Sequence, residues 1–247
     1  MTPRPEFSVV IPAYNEEERL PSALERVGQY LHRNHPSSEI IVVDDGSTDG
    51  TARAVAEWQQ KIPGLRLVSN NGNRGKGYSV RHGMLEARGR VALFTDADLS
   101  APIDEAAKLL AALESADVAI GSRDIDRSLI EIHQSRMREL AGIIFNWMMR
   151  LFTGLPFHDT QCGFKVFAMP ESRIIFEQQR IDDFGFDPEI LFLARRHGLR
   201  TVEVPVRWAH DPRTKVHVVR DSLRMFADLL IIRWNALAGR YPRGGAE

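Results

Sequence analysis

The sequence holds a single cysteine, Cys162, in 247 residues. An intrachain disulfide framework is thereby excluded, and such cysteine usage fits a reducing compartment. Cys162 itself reads as a small buried hydrophobe. An excess of charge of one sign is missing too: 32 Lys and Arg face 33 Asp and Glu, for a formal net charge of -1. That balance provides no global field to hold the protein on nucleic acid. Long hydrophobic runs are also lacking. The most apolar stretches, 143–152 and 229–232, fall far short of the ~20 residues that span a bilayer. Residues 1–6 carry no apolar signal core, so the expected location is the cytoplasm, with room for contact at the inner face of the cytoplasmic membrane. No internal repeat and no low-complexity segment breaks the chain.

With 43% hydrophobic and 26% charged residues, the composition is that of an ordinary globular protein, sized for one catalytic domain with appendages. Phe7-Ser-Val-Val-Ile-Pro12 and Ile40-Ile-Val-Val-Asp44 lack polar alternation, as strands buried on both faces of a parallel sheet do. Between them, Leu20, Leu24, Val27 and Leu31 recur at helical spacing over 16–33. The alternation continues with a helix at 48–60 opened by Ser, Thr and Asp caps, a strand at 65–69, a helix at 77–87, a strand at 91–95, a helix at 102–113 and a strand at 118–121. Such a rhythm predicts an α/β fold: a three-layer, Rossmann-like, mostly parallel sheet with right-handed crossovers. Beyond it we expect a charged loop at 123–131, helices at 135–152, 188–197 and 221–237, and strands at 163–167 and 201–206. Residues 1–215 are expected to form the catalytic domain, with 216–247 a C-terminal amphipathic helix and tail.

Ligands of open α/β sheets bind beyond the carboxyl ends of the strands. Five consecutive predicted strand ends are polar there: Pro12-Ala-Tyr-Asn-Glu16, Asp44-Asp-Gly-Ser-Thr-Asp49, Asn70-Asn-Gly-Asn-Arg-Gly-Lys76, Asp96-Ala-Asp98 and Ser122-Arg123. A turn after the fourth strand would bring Asp96 and Asp98 to one ligand. Paired carboxylates are hard oxygen donors suited to Mg2+ or Mn2+, completed by water and substrate phosphates; the plainer reading is a pair of loop caps. Asp44 and Asp45 can accept hydrogen bonds from a nucleobase or ribose, or cap the next helix, a task for which Ser47, Thr48 and Asp49 are better placed. Gly72, Gly75 and Gly77 around Arg74 and Lys76 allow close phosphate approach, although the order is not that of a Walker A loop.

Together with Gly-Ser-Arg (121–123), Asp-Thr-Gln-Cys-Gly-Phe-Lys-Val-Phe (159–167) and Phe-Asp-Pro-Glu-Ile-Leu (186–191), these motifs resemble the family 2 inverting glycosyltransferases of the GT-A fold over residues 7–215. The later segments resemble the polyprenyl-phosphate subgroup, nearest to dolichyl-phosphate β-glucosyltransferases and next to dolichyl-phosphate mannosyltransferases. The resemblance implies that Pro12, Tyr14, Glu16, Val43 and Asp45 hold the nucleoside of a nucleotide-sugar donor. It further implies that Asp96, Ala97 and Asp98 hold the diphosphate and its metal, with Asp98 the stronger ligand. Arg123 and Arg138 match positions that bind the acceptor phosphate. Apart from the resemblance, Lys76 in its glycine loop suits a phosphate, and Arg213 and Lys215, in a Pro/Thr loop, read either as closing over the diphosphate or as a solvated loop. Two departures stand out: Ser100 where mannosyl relatives carry Gln, and Gly142 where relatives carry Ser.

The implied reaction moves a hexose, with glucose from UDP-glucose the leading choice, onto a lipid-linked phosphate with inversion. A GDP-mannose-dependent mannosyltransferase and a transfer-inactive nucleotide-sugar-binding protein are the alternatives. A nucleotidyltransferase could also use the carboxylate pair, releasing pyrophosphate from a triphosphate. An acceptor phosphate is already anionic and needs no base; for a hydroxyl acceptor, Asp187 or Glu189 could serve as one, and otherwise both read as solvated first-turn carboxylates. The helices at 135–152 and 221–237 pair apolar faces and Trp with Arg, which suits peripheral membrane contact, core packing or a dimer seam.

Overall fold

The computed structural model describes residues 4–132, 136–211 and 218–242, with the side chains of 136–141 and 218–223 left out of account. The first half alternates as the periodicity predicts: β1 (Phe7–Ala13), α1 (Leu20–Asn34), β2 (Ser38–Asp44), α2 (Thr51–Gln59), β3 (Leu65–Ser69), α3 (Lys76–Glu86), β4 (Val91–Thr95), α4 (Ala106–Ala112) and β5 (Val118–Ser122). The second half adds β6 (Ile130–Ile132), α5 (Arg136–Thr153), β7 (Phe164–Ala168), α6 (Arg173–Gln178), α7 (Phe186–Arg196), β8 (Thr201–Pro205), β9 (Trp208–Ala209) and α8 (Val218–Leu237). Seven strands form one sheet in the order β3-β2-β1-β4-β7-β5-β8. Only β7 runs antiparallel, wedged between β4 and β5.

Strand parity explains the unbroken apolar runs. Val9, Ile11, Ile40 and Val42 point to the layer containing Leu20, Leu24 and Val27 of α1. Val10, Ile41 and Val43 point to the opposite layer, with Val80 and Met84 of α3 and Ile190 of α7. Each strand is therefore buried twice. Leu229 and Ile232 of α8, with Tyr241 beyond it, belong to that second layer, so α8 packs against the sheet domain.

Several boundaries differ from expectation. Residues 16–19 form a turn whose Glu16 carbonyl accepts from the N–H groups of Arg19 and Leu20, and α1 starts only at Leu20, with Pro21 in its first turn. The loop at 123–131 ends in β6, which pairs with β9 as a small parallel ribbon. α6 is six residues long, too short for a periodic signal. The orientation of β7 was not legible either, since an apolar run reads alike in both directions.

Neither reading of Glu189 holds. Its side chain is fully buried; it accepts the backbone N–H groups of Arg180 (3.0 Å) and Ile181 (2.8 Å) and the Tyr241 hydroxyl (2.5 Å). A carboxylate satisfied in this way fixes the start of α7 and the chain end rather than acting as a base. On α8, burial and then the nearby Asp183 push the Asp228 carboxyl up to about 6. Because an unfolded Asp titrates near ~3.9, the folded state is penalised above about pH 6 and relieved as pH falls below about 4. Asp228→Asn keeps an acceptor for the Gly185 N–H. Its Tm is expected to rise by about 2–4 °C at neutral pH and not at pH ~4, read by thermal melts at both.

Candidate active site

A cavity of about 400 Å³ opens at the carboxyl ends of β1, β2 and β4. Pro12, Tyr14, Glu16, Asp45, Lys76, Asp96, Ala97 and Asp98, all singled out from the sequence, line it. Arg19, Asp183 and Phe184, which sequence reasoning missed, line it too.

The chain turns immediately after β4. Leu99 N–H bonds the Asp96 carbonyl (3.1 Å), Ser100 N–H bonds Asp98 Oδ1 (2.9 Å), and Asp96 N–H bonds the Gly163 carbonyl (3.2 Å). Leu99 closes the turn at φ 48, a left-handed value that costs a non-glycine residue about 1–3 kcal/mol and clusters at functional sites. Asp96 is admitted only because residue 163 is glycine: a Cβ there would lie 2.1 Å from Asp96 Oδ2.

The electrostatics are those of a site awaiting charged ligands. Lys76 Nζ lies 2.6 Å from Asp96 Oδ1. Burial opposes the Lys76 charge, but Asp96 and then Asp187 outweigh it and hold its pKa above the ordinary value. Burial, reinforced by Asp96, raises the Asp98 carboxyl. Arg19 bonds Glu16 in bidentate fashion (2.6 and 2.5 Å) and reaches toward Asp98 (3.9 Å) and Asp211 (3.6 Å). Two carboxylates on one turn, partly exposed to a cavity, fit the donor set of a hard divalent cation that draws its remaining ligands from phosphate and water.

Asp45 organises the glycine loop. Its carboxylate accepts Asn70 Nδ2 (2.7 Å), Arg74 N–H (2.9 Å) and Gly75 N–H (2.8 Å). Gly75 has φ 100, with the Asp182 carbonyl 2.5 Å from where a Cβ would sit, so no side chain fits. Capping near α2 falls instead to Asp49, which accepts from Thr51 N–H (3.0 Å).

Two expectations need correction. Val43 is fully buried in the layer beneath α3, where its Cγ2 lies 2.7 Å from the place of a Cβ on Gly83. Parity along β2 takes its side chain to the core, away from the cavity. Asp187 is no solvated carboxylate: it is buried and ion-paired with the fully buried Lys165, which also donates to the Cys162 carbonyl (2.6 Å). Burial raises the Asp187 carboxyl against the opposing pull of Lys165 and Lys76. A base so tied has no open access to a hydroxyl acceptor. The five strand ends do lie on one edge of the sheet, since β4 and β5 both run antiparallel to β7, but β7 stands between those two, and the residue after β5 lines a different cavity.

Arg123 lines a separate cavity of about 110 Å³ with Asp124, Arg127, Gly142, Ile143, Asn146, Thr160 and Gln161. Asp159 grips its guanidinium twice (2.6 and 2.8 Å) and its backbone N–H once (3.0 Å), and Trp208 lies under the guanidinium at 5.3 Å. Burial disfavours the Asp159 charge, yet Arg123 holds its carboxyl below the usual range. Cys162, between the cavities, has a buried thiol pushed up to about 12, consistent with an inert hydrophobe. Arg213 and Lys215 lie outside the described residues, as does the Arg138 side chain.

Residues 8–169 match the profile described as "Glycosyl transferase family 2". The dolichyl-phosphate beta-glucosyltransferase of Dictyostelium discoideum is 35% identical over 94% of this chain and 75% of its own length. That of Drosophila melanogaster is 35% identical over 97% of this chain and 78% of its own. Among solved structures, glucosyl-3-phosphoglycerate synthase from Mycobacterium tuberculosis with uridine-diphosphate superposes with a TM-score of 0.65 at 22% identity, over 98% of this chain and 82% of that one. A mannosyltransferase from Pyrobaculum calidifontis, solved with GDP-Man and Mn2+, gives 0.62 at 22% identity, over 100% and 67%. These neighbours establish the three-layer fold read from the sequence.

Proposed function

The chain belongs to glycosyl transferase family 2, and we propose that it moves glucose from UDP-glucose to a polyprenyl phosphate with inversion at the anomeric carbon. The observation that carries this is the adjacency of two unlike cavities. Gly163 touches Asp96 in the carboxylate cavity, while Thr160 and Gln161, two to three residues earlier, line the arginine cavity. Beside the second cavity, α5 exposes Ile143, Ile144, Trp147 and Leu151. A donor diphosphate next to an anion site edged by exposed apolar helix suits a phosphate acceptor carrying a lipid tail.

In this reading Tyr14, exposed at the mouth, stacks on the base, and Asp45 and Glu16 meet the nucleoside. Lys76 turns from Asp96 toward the departing diphosphate, neutralising charge where it grows. Arg123, held rigid by Asp159, turns its remaining donors to the acceptor phosphate, joined by Arg138, while Arg213 and Lys215 close over the diphosphate. The acceptor oxygen is anionic near neutral pH, so no general base is required, in keeping with the locked Asp187 and Glu189. When bound, Mg2+ or Mn2+ held by Asp98 and Asp96 would supply Lewis-acid stabilisation of the leaving group. The enzyme would work from the cytoplasm as a peripheral protein at the inner face of the cytoplasmic membrane. Among the described residues no helix is long and apolar enough to cross it.

Two tests bear on the parts. Arg123→Gln is expected to raise KM for polyprenyl phosphate by about 10–100-fold with a smaller change in KM for UDP-glucose, since a charge-assisted hydrogen bond is worth ~1.5–3 kcal/mol. Equal effects on both substrates would remove Arg123 from the acceptor site. For the donor, UDP should stabilise the protein in thermal melts with Mn2+ more than GDP does, and a chelator should abolish both transfer and that stabilisation. Preference for GDP would favour the mannosyl alternative.

A further inference from the structure

A third cavity, of about 480 Å³, opens between α5, α7 and α8 and is lined by Leu151, Phe152, Phe192, Arg195, Arg196 and Arg233, among others. Three cations converge there. Arg195 donates to the Gly154 carbonyl and Arg196 Nε to the Tyr241 carbonyl (2.8 Å). Those bonds occupy a small part of the five N–H donors each guanidinium carries. Among the described residues no carboxylate pairs with Arg195, Arg196 or Arg233. Arg195 and Arg196 stand in the last turn of α7, where the helix end supplies only about half a negative charge, too little to offset them and Arg233 together.

The helices that flank this cavity, α5 and α8, expose apolar side chains. Leu151 is 64% exposed, and on α8 Trp234 and Leu237 are 64% and 78% exposed, with Leu230 and Ile231 beside them. Phe152 and Phe226 join the two helices, ring centroids 5.6 Å apart. A basic cavity between helices that expose Trp and Leu matches one chemistry: a phosphate head with acyl chains attached. We propose that this cavity binds the headgroup phosphate of an anionic phospholipid and thereby seats the face formed by α5 and α8 on an anionic membrane. The site is distinct from the Arg123 cavity, whose residue Ile143 lies eight residues before Leu151, about 12 Å along the same helix. One membrane plane can therefore serve both. The proposal rests on the membrane-facing reading of α5 and α8 and is independent of which sugar is transferred.

Flotation of the full chain with vesicles of phosphatidylcholine alone, and of phosphatidylcholine mixed with phosphatidylglycerol, tests it. Wild type is expected to bind the anionic vesicles more tightly. Arg233→Gln should weaken that binding by about fivefold, the effect of one cation at an anionic surface, and Arg196→Gln with Arg233→Gln by about 25-fold, with binding to neutral vesicles unchanged. Arg26→Gln, on the exposed face of α1, is the charge-matched control and should have little effect. Trp234→Ser with Leu237→Ser should weaken binding to both vesicle types, which tests the membrane-facing reading separately. Arg233→Gln, which breaks no hydrogen bond within the described residues, guards against a folding defect. Equal losses for Arg26→Gln and Arg233→Gln, no preference for anionic vesicles, or a stable dimer that binds neither vesicle would overturn the proposal.

Discussion

Asp98→Asn is expected to reduce transfer by about 10²–10³-fold, the scale on which enzymes lose rate when one group stabilising the transition-state charge is removed. The substitution keeps the shape and keeps an acceptor for the Ser100 N–H, which Asp98 Oδ1 holds at 2.9 Å. Arg19 loses only a partner at 3.9 Å. The fold should therefore survive, with stability within ~1 kcal/mol of the parent, while the negative charge needed beside the diphosphate and its cation is gone. Stopped turnover with an unchanged melting midpoint would separate chemistry from folding. Asp96→Asn should give a loss of different character, because it also frees Lys76, 2.6 Å away, to pair elsewhere. Retention of most activity by Asp98→Asn would return this residue to the role of a loop cap.

Gly163→Ala is expected to lower transfer by about 10²-fold, because a misplacement near 1 Å at a reacting centre carries that scale of penalty. The added Cβ would fall 2.1 Å from Asp96 Oδ2 and 2.5 Å from its Cγ, so the carboxylate must move. The backbone at 163 is not left-handed, so the cost is steric, about 1–3 kcal/mol of stability as in other overpacked sites. Gly142→Ala, on α5 with nothing within 4 Å of the new Cβ, is a control for stability alone, since it lines the arginine cavity, and should leave folding intact. Parent-level activity in Gly163→Ala would show that Asp96 tolerates displacement.

The parts of this protein that could be read from its sequence are those governed by local rules. Buried strands at 7–13 and 38–44 announce themselves by unbroken apolar runs, and the glycine loop by φ values that only glycine adopts readily. The turn carrying Asp96 and Asp98 was legible as well, since two polar residues directly after a buried strand must leave the sheet. What was not legible depends on tertiary placement. Val43 looked like a site residue beside Asp45, yet side-chain alternation buries it under α3. Asp187 and Glu189 looked like solvated acids at a helix start, yet Lys165, Tyr241 and two backbone N–H groups meet them in the interior. Arg19 escaped notice because only its contact with Glu16 is local, whereas Asp98 and Asp211, which tie it to the cavity, come from distant loops. Most consequential is β7: its reversed insertion separates the ends of β4 and β5 along the rim, leaving a carboxylate cavity and an arginine cavity.

That split carries the central claim, a donor and a lipid phosphate held side by side. The most direct measurement is incubation of the purified chain with UDP-[14C]glucose, Mn2+ and polyprenyl phosphate, followed by partition of the label between organic and aqueous phases. Label is expected in the organic phase only when polyprenyl phosphate is present, and it should disappear in Asp98→Asn. No organic-soluble label, together with robust transfer to a soluble hydroxyl acceptor, would contradict the account.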